Sequence, residues 1–383
     1  MGNGTAGKPR RYQTKVDVKE AHEAPDPGKL VETPREEVNA DALLSSLNHA
    51  SVLDMVQTAE GKRRFCIGSI ADPSRTSFVN KAMQRIGDDM SLVQGGLGYT
   101  CRKGLKPESP NQDGWFIVAV EQAFSVYGVF DGHGQKGHDI SNFVSEALPK
   151  LIVADRRFLA ESKHELLRDS FRRMQFLIGA QDKLQRLSAQ LSGTTATVAV
   201  HDHLAKKLTL AHVADSTAVL GRYRQGKKQE LEAIVLTRDH KPGLQDERAR
   251  IERSGGRVVF DGYANYRVYA KNARWPGLKL SRCLGDLKSH LGCGVIAEPE
   301  VTELQIAPND HVVLLCSDGV WEFIRPDEAV RLVSEYSPSQ AMVAAERLAK
   351  EAWDRWILEE SSSVVDDITV LLVYLHAGRD EGS

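Results

Sequence analysis

Residues Val126–His138 read VYGVFDGHGQKGH. A short apolar run (Val126, Tyr127, Val129, Phe130) ends abruptly in Asp131, Gly132, His133 and Gly134. Its length and its β-branched and aromatic content are those of a buried strand. Glycine lets the backbone approach a ligand closely and take dihedrals other residues cannot. A carboxylate at a strand's end beside such backbone suits a hard cation such as Mg²⁺ or Mn²⁺. The alternative is an ordinary Asp-Gly turn. The two readings part on whether further carboxylates arrive in the same setting.

They do so on both sides. Upstream, Asn111-Gln112-Asp113 introduces a strand over Trp115–Val120, joined by a short loop at Glu121 to the strand Phe124–Asp131. In an antiparallel hairpin Asp113 and Asp131 become neighbours. Downstream, helical spacing runs over Asp139–Leu151 and Glu161–Leu187, followed by strands over Thr194–Val200, Lys207–Ala214 and Thr217–Arg224. Asp215 lies between the last two. A helix over Leu244–Ser254 precedes Arg257–Pro276, an aromatic stretch read as an irregular loop beside a binding site. The strand Val312–Cys316 ends in Ser317-Asp318-Gly319, repeating the pattern of Asp131-Gly132. Helices over Pro326–Tyr336 and Pro338–Trp353 follow, and Asp366-Asp367 introduces the strand Ile368–Leu375.

Five carboxylates, Asp113, Asp131, Asp215, Asp318 and Asp366, therefore sit at strand ends or starts. Gathered together they could not all ionise unless cations compensated them. No Cys and His cluster has zinc spacing, so the donor set points to two Mg²⁺ or Mn²⁺ ions in oxygen coordination. Such a pair binds phosphate oxygens and activates a water, the chemistry that slow phosphate monoester hydrolysis needs. The leaving alkoxide needs a proton, and His133 is the candidate general acid.

The chain of 383 residues has 41% hydrophobic and 27% charged residues and a net charge of −2. That charge gives no global field to recruit nucleic acid, and no apolar run reaches the ~20 residues of a membrane span. Five cysteines, without a CxxC pair, argue for a reducing compartment, cytoplasmic or nuclear. The polar, glycine-rich opening does not read as a secretory signal. Residues 1–35 read as a disordered tail, 36–94 as a helical extension, 95–376 as the catalytic domain and 377–383 as a polar tail. Leu43, Leu44, Leu47, Val52, Met55 and Val56, and then Phe78–Ile86, carry the extension's helical spacing. Gly2 invites N-myristoylation and membrane attachment, but Ala6 stands where that motif wants Ser or Thr; a plain tail is the alternative.

The motifs VFDGHG, SGTTA, AHVADSTAV, LTRDHKP, ERARIERSGG, LKLSRCLGD, CSDGVWEF and VDDITVLLV, in this order over Gly95–Leu375, resemble the metal-dependent protein phosphatases of type 2C. The resemblance implies an α+β fold, a central antiparallel β-sandwich flanked by helices on both sides. It implies a monomeric Mg²⁺- or Mn²⁺-dependent phosphatase acting on phosphoserine and phosphothreonine in proteins. It places metal ligands at Asp113, Asp131 with the Gly132 carbonyl, Asp318 and Asp366. A third, weaker ion falls at Asp215 with Asp318, and the acid is again His133.

The chain departs from the family pattern at Gln112, where many members have Glu, and at Thr217, where the Arg of the family's GDSR is missing. Asp366-Asp367 replaces a closing Asp-Asn, with register favouring Asp366 as the ligand. The phosphate-binding Arg is out of register because Lys106–Pro110 is inserted. Arg102 is the candidate, with Lys103 after it; an Arg fork grips phosphate bidentately, whereas Lys is a point charge. Asp239-His240 reads as structural, and Asp286 as either a cap or a group reaching the site. Thr194 and Thr195 read as supports. The competing function is a pseudophosphatase, a phosphoprotein-binding module that keeps the fold without turnover.

Overall fold

The computed structural model describes residues 52–56, 62–89, 96–106, 110–160, 162–224 and 230–376. These lie in one unit, Ala40–Ser383. The strands are β1 (Arg64–Ser69), β2 (Met83–Gly87), β3 (Leu97–Arg102), β4 (Asp113–Val120), β5 (Phe124–His133), β6 (Gly193–Thr194), β7 (Ala196–Asp202), β8 (Lys207–Val213) and β9 (Thr217–Tyr223). They continue with β10 (Leu231–Val235), β11 (Gly256–Phe260), β12 (Tyr266–Ala270), β13 (Pro276–Leu278), β14 (Leu284–Gly285), β15 (Glu300–Gln305), β16 (Asp310–Cys316) and β17 (Ile368–Tyr374).

Among the described residues, one sheet runs β15-β8-β7-β5-β4-β1-β2, with the short β6 and β14 at its side. A second runs β10-β9-β16-β17-β3. Neighbouring strands in both are antiparallel. The central strands are apolar on both faces because both faces are covered. Trp115, Ile117, Tyr127 and Val129 point between the sheets and meet Val313, Leu315 and Leu371. Their alternates Phe116, Val118, Val126 and Phe130 pack outward under the helices Gly137–Val153 and His164–Lys183. On the opposite outside, Val312, Leu314, Val370 and Leu372 pack under Pro326–Ser334 and Ala341–Glu359. The result is the expected β-sandwich with helices on both sides.

Two expectations are corrected. The segment 64–87 is not helical: β1 pairs with β4 and so extends the main sheet, and β2 pairs with β1. Burial in β1 alternates strictly, with Phe65 and Ile67 inside, a period of two and not 3.6. Phe78, placed in the second expected helix, has φ of 61°, which a helix interior does not allow. Val52 and Val56 are buried against the sheet's helical side; Leu43, Leu44 and Leu47 lie outside the described residues, as does Gly2. Second, Arg257–Pro276 is not irregular: β11, β12 and β13 form a separate three-stranded sheet, with Val258 and Val268 paired across the ladder and buried. At its hairpin end Phe260, Tyr263 and Tyr266 are exposed, and those rings hide the alternation in the sequence.

Candidate active site

Asp113 opens β4 and Asp131 closes the paired run of β5, so the hairpin register sets them opposite each other. Asp113 is fully buried. Its Oδ2 accepts hydrogen bonds from Ser317 Oγ (2.8 Å) and Thr369 Oγ1 (2.7 Å), both from the facing sheet, while its Oδ1 is buried without a partner. Burial, with Asp367 and Asp366 adding repulsion, pushes its pKa up to about 8.

Asp131 is anchored through its backbone. Its N–H donates to Thr195 Oγ1 (2.8 Å) and its carbonyl accepts from Thr195 N–H (2.9 Å). Thr195 Oγ1 also lies 2.6 Å from Ser216 Oγ, so SGTTA supports the site as expected. The Asp131 carboxyl meets that of Asp318; burial and then Asp318 raise its pKa well above the carboxylate range. Asp318 goes the other way: burial opposes ionisation, but Lys279 Nζ at 3.0 Å and then the neighbouring Asp131 carboxyl lower its pKa below the usual carboxylate range. Asp318 Oδ1 is again buried and unpartnered.

Asp366 and Asp367 divide their work. The Asp366 carboxylate faces the cluster and takes Lys106 Nζ; burial and then Asp318 raise its pKa. Asp367 turns away and clasps a loop, accepting from the N–H groups of Gly104 (2.7 Å) and Gln112 (2.8 Å). Asp215, also buried, holds Lys241. Asp239 lies next to it, its pKa raised to about 6 by burial and then by Asp215; it accepts from Thr217 Oγ1 (3.0 Å).

Two glycines make room for this gathering. A Cβ on Gly132 would come within 2.5 Å of the Gln112 and Gly137 carbonyl oxygens, and one on Gly319 within 2.0 Å of the Asp367 oxygen. The Asp-Gly motifs therefore allow backbones to cross where carboxylates converge. The Asp131 carboxyl interacts with those of Asp318, Asp113 and Asp366, which brings four hard oxygen donors into one neighbourhood. Two of them have buried orphan oxygens and three have raised pKa values. Such a donor set fits divalent Mg²⁺ or Mn²⁺.

His133 ends β5, and its Nε2 lies 2.5 Å from Asp286 Oδ2. Asp286 does not cap the helix that follows it. His240 is structural: its Nδ1 accepts from Ala214 N–H (3.1 Å) and its ring stacks on His212. Cys316 is a buried core thiol whose pKa burial raises.

The phosphate-binding candidates are corrected. Arg102 ends β3 with its side chain toward the outer helix. There it pairs with Glu346, donates to the Phe78 carbonyl (3.0 Å) and lies over the Phe78 ring. Lys103 is sealed in, donating to the carbonyls of Gly104 (3.2 Å) and Lys106 (2.9 Å). The cations that reach the carboxylates are Lys106, Lys241 and Lys279, none of which the sequence reading singled out. Lys241 and Lys279 stand inside quoted motifs, LTRDHKP and LKLSRCLGD, which was the available signal.

Residues 106–357 match the family Protein phosphatase 2C. The chain is 35% identical over 279 residues to the probable protein phosphatase 2C 48 of Oryza sativa subsp. japonica, covering 67% of this chain and 77% of that protein. It is 35% identical over 303 residues to the probable protein phosphatase 2C 72 of Arabidopsis thaliana, covering 76% and 89%. Among solved structures, the fold is shared with a serine-threonine phosphatase 2C from Toxoplasma gondii, at a TM-score of 0.61 and 18% identity, over 73% of this chain and 94% of that one. It is shared too with a C. elegans sex determining protein, at a TM-score of 0.59 and 22% identity, over 73% and 64%. The chain belongs to the protein phosphatase 2C family. It is accordingly a metal-dependent hydrolase of phosphoserine and phosphothreonine in proteins. None of its described helices is long and apolar enough to cross a membrane.

Proposed function

We propose that the chain removes phosphate from phosphoserine and phosphothreonine side chains at a centre of two Mg²⁺ or Mn²⁺ ions. Asp113, Asp131 with the Gly132 carbonyl, Asp318 and Asp366 would hold the pair. The observation that carries this reading is Asp113 opposite Asp131 with buried, unpartnered oxygens on Asp113 and Asp318. When bound, the ions supply a water of lowered pKa and positive charge facing the phosphoryl group.

The protein's own groups do the rest. Ser317 and Thr369 fix the Asp113 carboxylate and Thr195 the Asp131 backbone, so little reorganisation accompanies charge development. Lys106, at the rim on Asp366, is placed to meet phosphate oxygens as a point charge. His133 protonates the departing serine or threonine oxygen; that alkoxide is a poor leaving group without a proton. Asp215, beside Asp318, is the place for a third and weaker ion, where Lys241 now stands.

The test is a Mn²⁺-dependent assay on a phosphothreonine peptide. Turnover that disappears with chelator and in Asp131→Ala supports the reading. Metal binding without turnover in the wild-type chain would leave only a phosphoprotein-binding module.

A further inference from the structure

His133 and Asp286 are 153 residues apart, yet one two-residue strand brings them together. β6 pairs with β5 on one side, Gly132 opposite Thr194 and His133 opposite Gly193. It pairs with β14 on the other, Leu284 opposite Thr194 and Gly285 opposite Gly193. Gly193 therefore lies between the strand that carries His133 and the one that leads to Asp286.

The side chains meet over that glycine. A Cβ on Gly193 would fall 2.4 Å from Asp286 Oδ2 and 3.0 Å from His133 Nε2. Only a bare α-carbon leaves the space in which the two bond. On the other side the turn is bent to deliver the carboxylate: Gly285 has φ of 87° and Asp286, a residue with a Cβ, has φ of 44°. A non-glycine residue held there needs surrounding structure to enforce it. Gln175 supplies some of it, accepting from Gly285 N–H (2.8 Å) and donating to the Gly285 carbonyl (2.9 Å). The Cys283 thiol donates to Asp286 Oδ2 (3.3 Å) from a fully buried position. Asp286 itself is 3% exposed, and its side chain caps nothing.

We propose that Asp286 is the positioning residue for His133: it accepts the Nε2–H bond, fixes the ring, and leaves Nδ1 as the nitrogen that hands its proton to the leaving oxygen. The inference rests on the reading of His133 as general acid. A buried carboxylate behind an imidazole fixes both tautomer and orientation. It also assigns work to two motif residues that metal ligation leaves unused. The glycine of SGTTA opens the space, and the final aspartate of LKLSRCLGD fills it.

The test uses the full chain with Mn²⁺ and two substrates, a phosphothreonine peptide and p-nitrophenyl phosphate. The phenol leaves without protonation; threonine does not. The isosteric Asp286→Asn should lower kcat on the peptide by about 10²-fold or more, and at least tenfold more than on p-nitrophenyl phosphate. His133→Gln should show the same split, and the double variant should be no worse than His133→Gln alone. Turnover of the phenyl ester reports that Asp286→Asn is folded. As a second measurement, long-range ¹H–¹⁵N correlation should find the neutral His133 ring protonated at Nε2 in the wild-type chain and a tautomer mixture in Asp286→Asn. Equal losses on both substrates in Asp286→Asn, with the split intact in His133→Gln, would overturn the positioning role alone. Absence of any split in His133→Gln would remove the acid itself, and this inference with it.

Discussion

Asp113 and Asp131 face each other across the β4–β5 ladder, each the carboxylate at its strand's end of the hairpin. A hairpin register slip of one residue would turn one of them to the other face of the sheet. The site is therefore held in the same hydrogen bonds that hold the sandwich core, and its residues can be tested one at a time.

Lys106, which reaches Asp366, and Arg102, the candidate from the sequence, should separate cleanly. Lys106→Ala should raise KM for a phosphothreonine peptide several-fold, because a cation at the Asp366 rim is lost. Arg102→Ala should leave KM within twofold but cost about 1 kcal/mol of stability through the lost Glu346 pair and Phe78 contact. Steady-state kinetics beside thermal melts checks both; a KM shift in Arg102→Ala would reverse the assignment.

Asp366 and Asp367 should differ in kind. Asp366→Asn should abolish tight Mn²⁺ binding measured by calorimetry, since its carboxylate faces the cluster. Asp367→Asn should keep metal binding and lower the melting temperature, because the amides of Gly104 and Gln112 lose a charged acceptor. Equal metal loss in both variants would contradict the division.

Gly319→Ala should cost about 1–3 kcal/mol by overpacking. The new Cβ would meet the Asp367 carbonyl, and that backbone carries Asp366 beside it. Chemical denaturation with and without Mn²⁺ should show the larger deficit with metal. A neutral result would mean the backbone yields freely.

Acid should destabilise the fold through histidines remote from the carboxylates. Burial lowers His201 to about 3 and His203 to about 4, with a like charge on His203 opposing His201 further. Between the ordinary value of about 6.5 and these values the unfolded chain binds more protons. Stability is thus fully present above about pH 6.5 and falls as pH drops toward 3–4. Each histidine contributes at most ~1.4 kcal/mol per pH unit to that slope. His203→Gln should flatten the slope measured by urea unfolding between pH 6.5 and 4.5; an unchanged slope would locate the acid sensitivity elsewhere.

The central strands were legible because both of their faces are buried, so Trp115–Val120, Phe124–Phe130 and Ile368–Tyr374 stand out as apolar runs. Of the strands that were missed, β1 lies between β4 and β2 but has only one face buried, while the others lie at edges or outside the main sandwich. β2 is largely exposed, β15 half-exposed, and β11–β13 carry rings toward solvent, so burial leaves no such mark on them.

The amino-acid order by itself determined the hairpin that opposes Asp113 and Asp131, which follows from local period, while the layered class was carried by the motifs the chain shares with the type 2C phosphatases and not by periodicity. Tertiary structure alone decided which lysines reach the carboxylates, why Arg102 does not, and that Asp286 backs His133. Those outcomes depend on the face a side chain takes at a strand's end and on loop closures spanning as many as 260 residues between Lys106 and Asp366. No local propensity encodes a contact between chain segments so far apart; only packing the two sheets brings it about.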